Sequence, residues 1–184
     1  IPNFIDTISG YMFKNCKKLK KVVFQNNSKI LEIEDNMFLG SSIESVYIAP
    51  QLTRICSSAF FLCSNLQRFE IPPNSELRII ESCAFACCDK FKHLIIPINS
   101  KLQTIESNSF SMSSIESFVI PETLVDLKDG WCSSLRDLHK IIVSPKNPRY
   151  YKYDDKMIIG KSSIDKNNYD MLVFCSRNVK KAKI

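Results

Sequence analysis

Eight cysteines and two histidines are the residues of this 184-residue chain best suited to hold a metal or to act as nucleophile and base. A zinc site wants four such ligands, most often paired as Cys-x2-Cys or His-x3-His. No Cys-x2-Cys pair recurs here, and neither His93 nor His139 stands at ligand spacing, so no metal centre is expected. Glu34, Glu81 and Glu106 each follow an isoleucine, but acid–base catalysis needs carboxylates that converge on one pocket. A periodic column of glutamates reads as a solvated edge. No G-x-S-x-G, P-loop or dinucleotide fingerprint occurs. Neither an enzyme nor a cofactor is expected.

The cysteines point to something else. Cys16, Cys63 and Cys88 occupy one position of a recurring pattern, each between apolar neighbours, where cysteine acts as a small buried hydrophobe. The pattern is clearest at Ile80, Phe85, Cys88, Phe91, Leu94 and Ile96, and recurs as Ile55, Phe60, Cys63, Leu66, Phe69 and Ile71. It begins at Ile8, Phe13, Cys16, Leu19, Val22 and Phe24. Two copies, Ile33, Phe38, Ile43, Val46, Ile48 and Ile105, Phe110, Ile115, Phe118, Ile120, are one residue shorter and lack the cysteine. A looser sixth copy has Leu127, Trp131, Leu138, Ile141 and Val143. A period of 20 to 30 residues with one short strand per unit is the mark of a solenoid.

Period-two alternation appears only at the end of each unit, which predicts strands at 22–24, 46–48, 69–71, 94–96, 118–120 and 141–143, parallel in one sheet. Proline directly follows three of them, at Pro72, Pro97 and Pro121, and ends the ladder by removing a donor. Only a turn or two of 3₁₀ or irregular structure fits between the aromatic residue and the strand. A second extended piece precedes each aromatic, around 31–33, 54–55, 79–80 and 104–105. The array occupies 1–143. A longer unit, 144–184, follows, with Tyr151 and Tyr153, a turn at Asp154-Asp155, a run at 157–159 and a last strand at 171–175. Because the chain opens on Ile1-Pro2, the pair that closes other strands, it reads as a slice of a longer array.

Charge adds little. Twenty-five Lys and Arg against 19 Asp and Glu leave +6, spread over the length, which permits an anionic partner without the clustered stripe that nucleic acid requires. Lys180, Lys181 and Lys183 read as a solvated edge. No stretch approaches the ~18 apolar residues of a membrane helix, so no membrane insertion is expected within this segment.

At ICSSAFFLCSNLQRFEIP (55–72) and IESCAFACCDKFKHLIIP (80–97) the chain resembles the BspA-like leucine-rich repeat family, whose unit runs roughly I-x4-AF-x2-C-x2-L-x2-I-x-IP. The irregular end, NPRYYKYDDKMIIG followed by YDMLVFC, is similar to the longer unit of that family, with Asp155 where the family has the glycine of an Asp-Gly turn. The resemblance implies a protein-binding module of a cell-surface or secreted adhesin or antigen. An intracellular scaffold with reduced cysteines is the alternative.

In a leucine-rich solenoid the residues between inward-pointing strand positions project from one face. Here these are Lys21, Val23, Ser45, Tyr47, Arg68, Glu70, His93, Ile95, Ser117, Val119, Lys140 and Ile142. Val23, Tyr47, Ile95, Val119 and Ile142 would make an apolar band flanked by Lys21, Arg68, His93 and Lys140, suited to a protein ligand with some acidic character. The plainer alternative is that these side chains satisfy β-propensity alone. The inward and outward assignments predict that Phe85→Ala costs about 3 to 5 kcal/mol in denaturant unfolding, while Tyr47→Ala leaves the midpoint almost unchanged. The reverse order would invert the two faces.

Overall fold

The computed structural model describes residues 1–176, in which a stack of coils contributes short strands to parallel ladders. Lys180, Lys181 and Lys183 lie outside the described residues. The first sheet joins β1 (Lys21–Val23), β3 (Ser45–Tyr47), β5 (Arg68–Glu70) and β7 (His93–Ile95) in that order. The second joins β2 (Glu32–Ile33), β4 (Arg54–Ile55), β6 (Ile79–Ile80), β8 (Thr104–Ile105) and β10 (Asp126–Leu127). Strands β9 (Ser117–Ile120) and β11 (Lys140–Val143) form a separate parallel pair. The expected single six-stranded sheet is therefore divided between β7 and β9, although Glu116 N still donates to Lys92 O at 3.3 Å across the gap. Most observed strands begin one residue earlier than the apolar alternation places them.

Registers bring like residues together. Val22, Val46, Phe69 and Leu94 pair in file and are buried, as are Ile33, Ile55, Ile80 and Ile105 of the second sheet. Phe13, Phe38, Phe60, Phe85 and Phe110 stack with centroids 5.2, 5.1, 5.0 and 5.6 Å apart and planes within 13° of parallel. An apolar column that the repeat pattern had not included, Ile30, Leu52, Leu77, Leu102 and Leu124, closes the core on the return side. Buried serines shape the bend before three of these: Ser28, Ser75 and Ser100 each accept, through Oγ, the N–H of Ile30, Leu77 and Leu102 at 3.2 Å.

The link between sheets is a run of single turns rather than a continuous 3₁₀ helix. In the third coil Ser58, Phe60 and Leu62 donate to Ser82, Ala84 and Ala86 of the next coil, while Ala59, Phe61 and Cys63 donate to Cys56, Ser58 and Phe60 of their own. Every backbone N–H of the run is thus used. This alternation requires left-handed backbone two residues before and two after the aromatic position. The residues concerned are Tyr11, Asn15, Asn36, Gly40, Ser58, Leu62, Cys83, Cys87, Asn108, Met112, Gly130 and Ser134, with φ between 56 and 72°. None is β-branched, the class for which this region is least accessible. Gly40 has a second reason, since an added Cβ would lie 2.5 Å from Asn15 Oδ1.

The same turns correct the alignment of three copies. In the shorter units Ser41 and Ser113 hold the cysteine position, each donating its N–H to the aromatic residue three before, and the missing residue lies after them. In the sixth unit Phe110 N donates to Trp131 O, as Phe85 N does to Ser109 O, so Trp131 fills the small-residue position and Cys132 the aromatic one. Counted from Cys132, Leu127, Leu135, Leu138, Ile141 and Val143 reproduce the spacing of 80–96 in full. The aromatic file accordingly ends at Phe110, and the Trp131 ring instead meets Phe118 at 4.7 Å and 49°.

Beyond the last coil, β12 (Tyr150–Lys152), β13 (Met157–Gly160) and β14 (Met171–Cys175) form an antiparallel sheet. The β12–β13 turn contains no positive φ at Asp155; Asp154 Oδ1 organises it by accepting from Lys156 N and Met157 N, both at 2.7 Å. The Asn-Pro-x-Tyr stretch seals the array. Asn147 Nδ2 donates to Pro121 O and Leu124 O at 2.7 and 2.9 Å, and its Oδ1 accepts from Arg149 N and Tyr150 N. Tyr150 OH accepts from Leu127 N at 2.9 Å, and Arg149 Nη1 donates to Val125 O at 2.6 Å.

Two predictions follow from this packing. Asn147→Ala leaves several buried backbone groups without partners and should cost about 2 to 4 kcal/mol in denaturant unfolding, with amide exchange accelerated first at β10. Cys63 and Cys88 are fully buried, and their thiols donate to Phe38 O and Phe60 O at 3.0 and 3.2 Å. Burial pushes the Cys63 thiol up to about 11 and that of Cys88 well above its ordinary value. Native alkylation near pH 8 should spare both. Because the folded state holds these protons more tightly than the unfolded chain, the contribution of these thiols to stability should be level below about pH 9 and fall as pH rises toward 11; labelling of Cys63 at the rate of an exposed thiol would contradict it.

Candidate protein-interaction face

Each strand of the first sheet is three residues long, with a buried residue between two that face outward. Register then sets the outward side chains in two columns. Lys21, Ser45, Arg68 and His93 form one, and Val23, Tyr47, Glu70 and Ile95 the other. In the β9–β11 pair Ser117 lies beside Lys140 and Val119 beside Ile142. The expected residues all lie on outward strand positions, but in two groups divided where the ladder lapses.

Apolar exposure is uneven. Tyr47 is 54% exposed, Val23 44% and Ile142 43%, whereas Ile95 and Val119 are half-buried. Glu70 interrupts the band, and Arg68 Nη2 donates to its Oε2 at 2.8 Å, so the pair presents little net charge. Lys21 Nζ sits 4.7 Å from the centroid of the Tyr47 ring, an exposed cation–π contact that braces the aromatic against the sheet. Along the adjoining edge Lys20 pairs with Glu44 at 2.9 Å and Lys92 with Glu116 at 3.0 Å. The hydrogen bond from Lys92 is the main cause holding the Glu116 carboxyl below its usual range. His93 and Lys140 remain exposed at the strand starts. The surface is a mosaic of aliphatic, aromatic and basic groups.

The second sheet carries a cluster of titratable residues that takes in Glu34 and Glu81, two of the three glutamates that read from sequence as a solvated edge. Arg54 reaches Glu81 at 2.7 Å and Glu32 at 3.5 Å; Ser57 Oγ donates to Glu81 Oε2 at 2.9 Å; the buried Cys56 thiol points to Glu32 Oε2 at 3.7 Å. Glu32, Glu34 and Cys56, and likewise Asp35, Cys56 and Glu81, bring one ligand atom each within 4.8 Å of one another. Burial first, then the charges of Glu81 and Glu32, push the Cys56 thiol up to about 12, and the hydrogen bond to Glu81 raises Arg54 further. The thiol therefore stays protonated, and Arg54, paired with Glu32 and Glu81, links the group into an inter-coil ion-pair network. Sequence reading also passed over a local excess of charge, since Lys14, Lys17, Lys18, Lys20 and Lys21 fall within eight residues of the first coil. Counting charge by coil instead of over the chain would have found it.

Among the described residues no helix is long and apolar enough to cross a membrane. No curated protein matches the chain. Solved structures do. A leucine-rich repeat protein of T. pallidum is 25% identical with a TM-score of 0.61, over 67% of this chain and 58% of its own. One from Bacteroides ovatus is 21% identical with a TM-score of 0.60, over 67% of this chain and 33% of its own. A leucine rich cell surface protein of Faecalibacterium prausnitzii is 19% identical with a TM-score of 0.57, over 79% and 43%. This chain spans less than two-thirds of the length of each. The BspA type leucine rich repeat region matches residues 1–99 and 31–154, in six copies, and together with the stacked coils this places the chain in the BspA-type leucine-rich repeat family.

Proposed function

We propose that this chain is a protein-binding module that meets its partner through the strand-lined face, and that it belongs to a cell-surface or secreted adhesin or antigen. The observation that carries the reading is the set of outward apolar side chains, Val23, Tyr47 and Ile95 on the first sheet and Val119 and Ile142 on the β9–β11 pair, which leaves Tyr47 and Ile142 about half exposed near basic residues. A rigid sheet holds these side chains at fixed spacing, so little ordering entropy is lost on contact. Lys21, Arg68, Glu70, His93 and Lys140 form the polar rim. Tyrosine is among the residue types that dominate interface energetics, which makes Tyr47 the central anchor. Leucine-rich repeats generally act as scaffolds for interaction, and binding without catalysis is the role assigned here. Support for the location comes from the family and from two proteins that share the fold, the Faecalibacterium prausnitzii cell surface protein and the pneumococcal vaccine antigen PcpA, the latter 18% identical with a TM-score of 0.52.

Protease treatment of intact cells that produce the whole protein tests the location. Digestion without lysis is the expected result, and protection until lysis would favour the intracellular scaffold. For the face itself, a Tyr47→Ala/Ile142→Ala variant should weaken a partner recovered from such cells by about tenfold or more, with an unchanged melting curve. Arg78→Ala, beside the second sheet, should have no effect; equal losses from both variants would remove the strand face from the interaction.

A further inference from the structure

The first coil carries a charge pattern unlike the rest of the array. Lys14, Lys17, Lys18, Lys20 and Lys21 are all exposed, and no arginine occurs before Arg54. Several basic side chains elsewhere are matched by carboxylates, as in Arg54 with Glu81, Lys92 with Glu116 and Lys128 with Asp126. Of the five lysines only Lys20 has such a partner, Glu44 at 2.9 Å. Among the described residues no carboxylate lies within ion-pair distance of the other four. Lys17 Nζ is held by the carbonyl of Gly40, Lys14 lies 5.1 Å from the Tyr11 ring centroid, and Lys21 lies 4.7 Å from that of Tyr47. Backbone and rings thus fix several ammonium groups on one edge while leaving their charge uncompensated.

Like charges separated by about a Debye length, ~8 Å at physiological salt, repel one another. A linear polyanion relieves that repulsion and releases its own condensed counterions when it binds. Three features select among polyanions. Lysine offers hydrated point charges in place of the planar forks that grip a carboxylate, and it is depleted from protein–protein interfaces, which disfavours an acidic protein. The faces of Tyr11 and Tyr47 are occupied by Lys14 and Lys21, so they are not free as stacking platforms for single-stranded bases. The described residues contain no amphipathic helix of the kind that lies in a membrane surface. We propose that the lysine edge of the first coil binds a sulfated polysaccharide, whose closely spaced sulfates need neither stacking nor burial. This site is separate from the strand face and shares only Lys21 with it.

Titration with a heparin octasaccharide tests the assignment. A Lys14→Gln/Lys17→Gln/Lys18→Gln variant should bind at least about tenfold more weakly in low salt, with a slope of log K against log salt shallower by about 2. A Lys101→Gln/Lys128→Gln/Lys161→Gln variant carries the same change in net charge and should bind like the parent chain. Melting curves of both variants, matched to the parent, would show that the fold is intact. Equal weakening of the two variants would reduce the effect to overall charge and overturn the site, as would undiminished binding of de-N-sulfated heparin. Tighter binding of a polyglutamate peptide, an oligothymidylate or phosphatidylserine vesicles than of heparin would also overturn it, in favour of that class. Because Tyr47 and Ile142 are untouched, loss of heparin binding and loss of a protein partner are separable results.

Discussion

Five phenylalanine rings lie nearly parallel with centroids 5.0 to 5.6 Å apart, slightly farther than the ~4.8 Å between hydrogen-bonded strands. The coil repeat thus sets the ring spacing, within the roughly 4.5 to 7 Å over which aromatic pairs attract one another. No single coil could supply this contact. Burying about six apolar side chains per unit returns less than the backbone entropy of ordering some two dozen residues. Each coil therefore depends on its neighbours for rings, ladders and turn hydrogen bonds alike, and the candidate face is held by the same mutual dependence.

The turn segment is where that dependence is enforced most strictly. Two left-handed residues per coil aim alternate N–H groups at the next coil and at the coil's own carbonyls. Left-handed backbone costs roughly 1 to 2 kcal/mol at a residue with a side chain, and ten such residues other than glycine accept it. The gain is use of nearly every donor in a segment that would otherwise bury them. Asparagine, serine and cysteine recur there because short polar or unbranched side chains tolerate the conformation, which also explains how an array with only four glycines can turn so often.

The solenoid was readable from the spacing of isoleucine, phenylalanine and cysteine, because burial of a full side chain tolerates few alternatives. The family resemblance rested on those same positions. What stayed hidden was positional rather than compositional. Trp131 drew attention as the aromatic of the sixth unit, yet the hydrogen bonds give that position to Cys132. The column from Ile30 to Leu124 keeps the array's own period, each member three residues before Ile33, Ile55, Ile80, Ile105 and Leu127, but its polar, loop-like surroundings mask it. The division between β7 and β9 leaves no trace in the apolar pattern, since Leu94 and Phe118 both remain buried. For the candidate face, outward positions could be assigned from alternation, but the Arg68–Glu70 pairing and the bracing of Tyr47 by Lys21 depend on rotamers that alternation does not specify.

The displaced tryptophan turns the last coil into an optical reporter. It is the chain's only indole, 3% exposed, packed on Phe118, with a buried Nε1 that has no hydrogen-bond acceptor among the described residues. Its emission in the native array belongs at short wavelength and shifts red when the sixth coil opens. Fluorescence therefore watches one end of the stack, while Cys63 and Cys88 watch its middle. Comparing the two signals during denaturation distinguishes a filament that unzips from its end from one that melts as a single block.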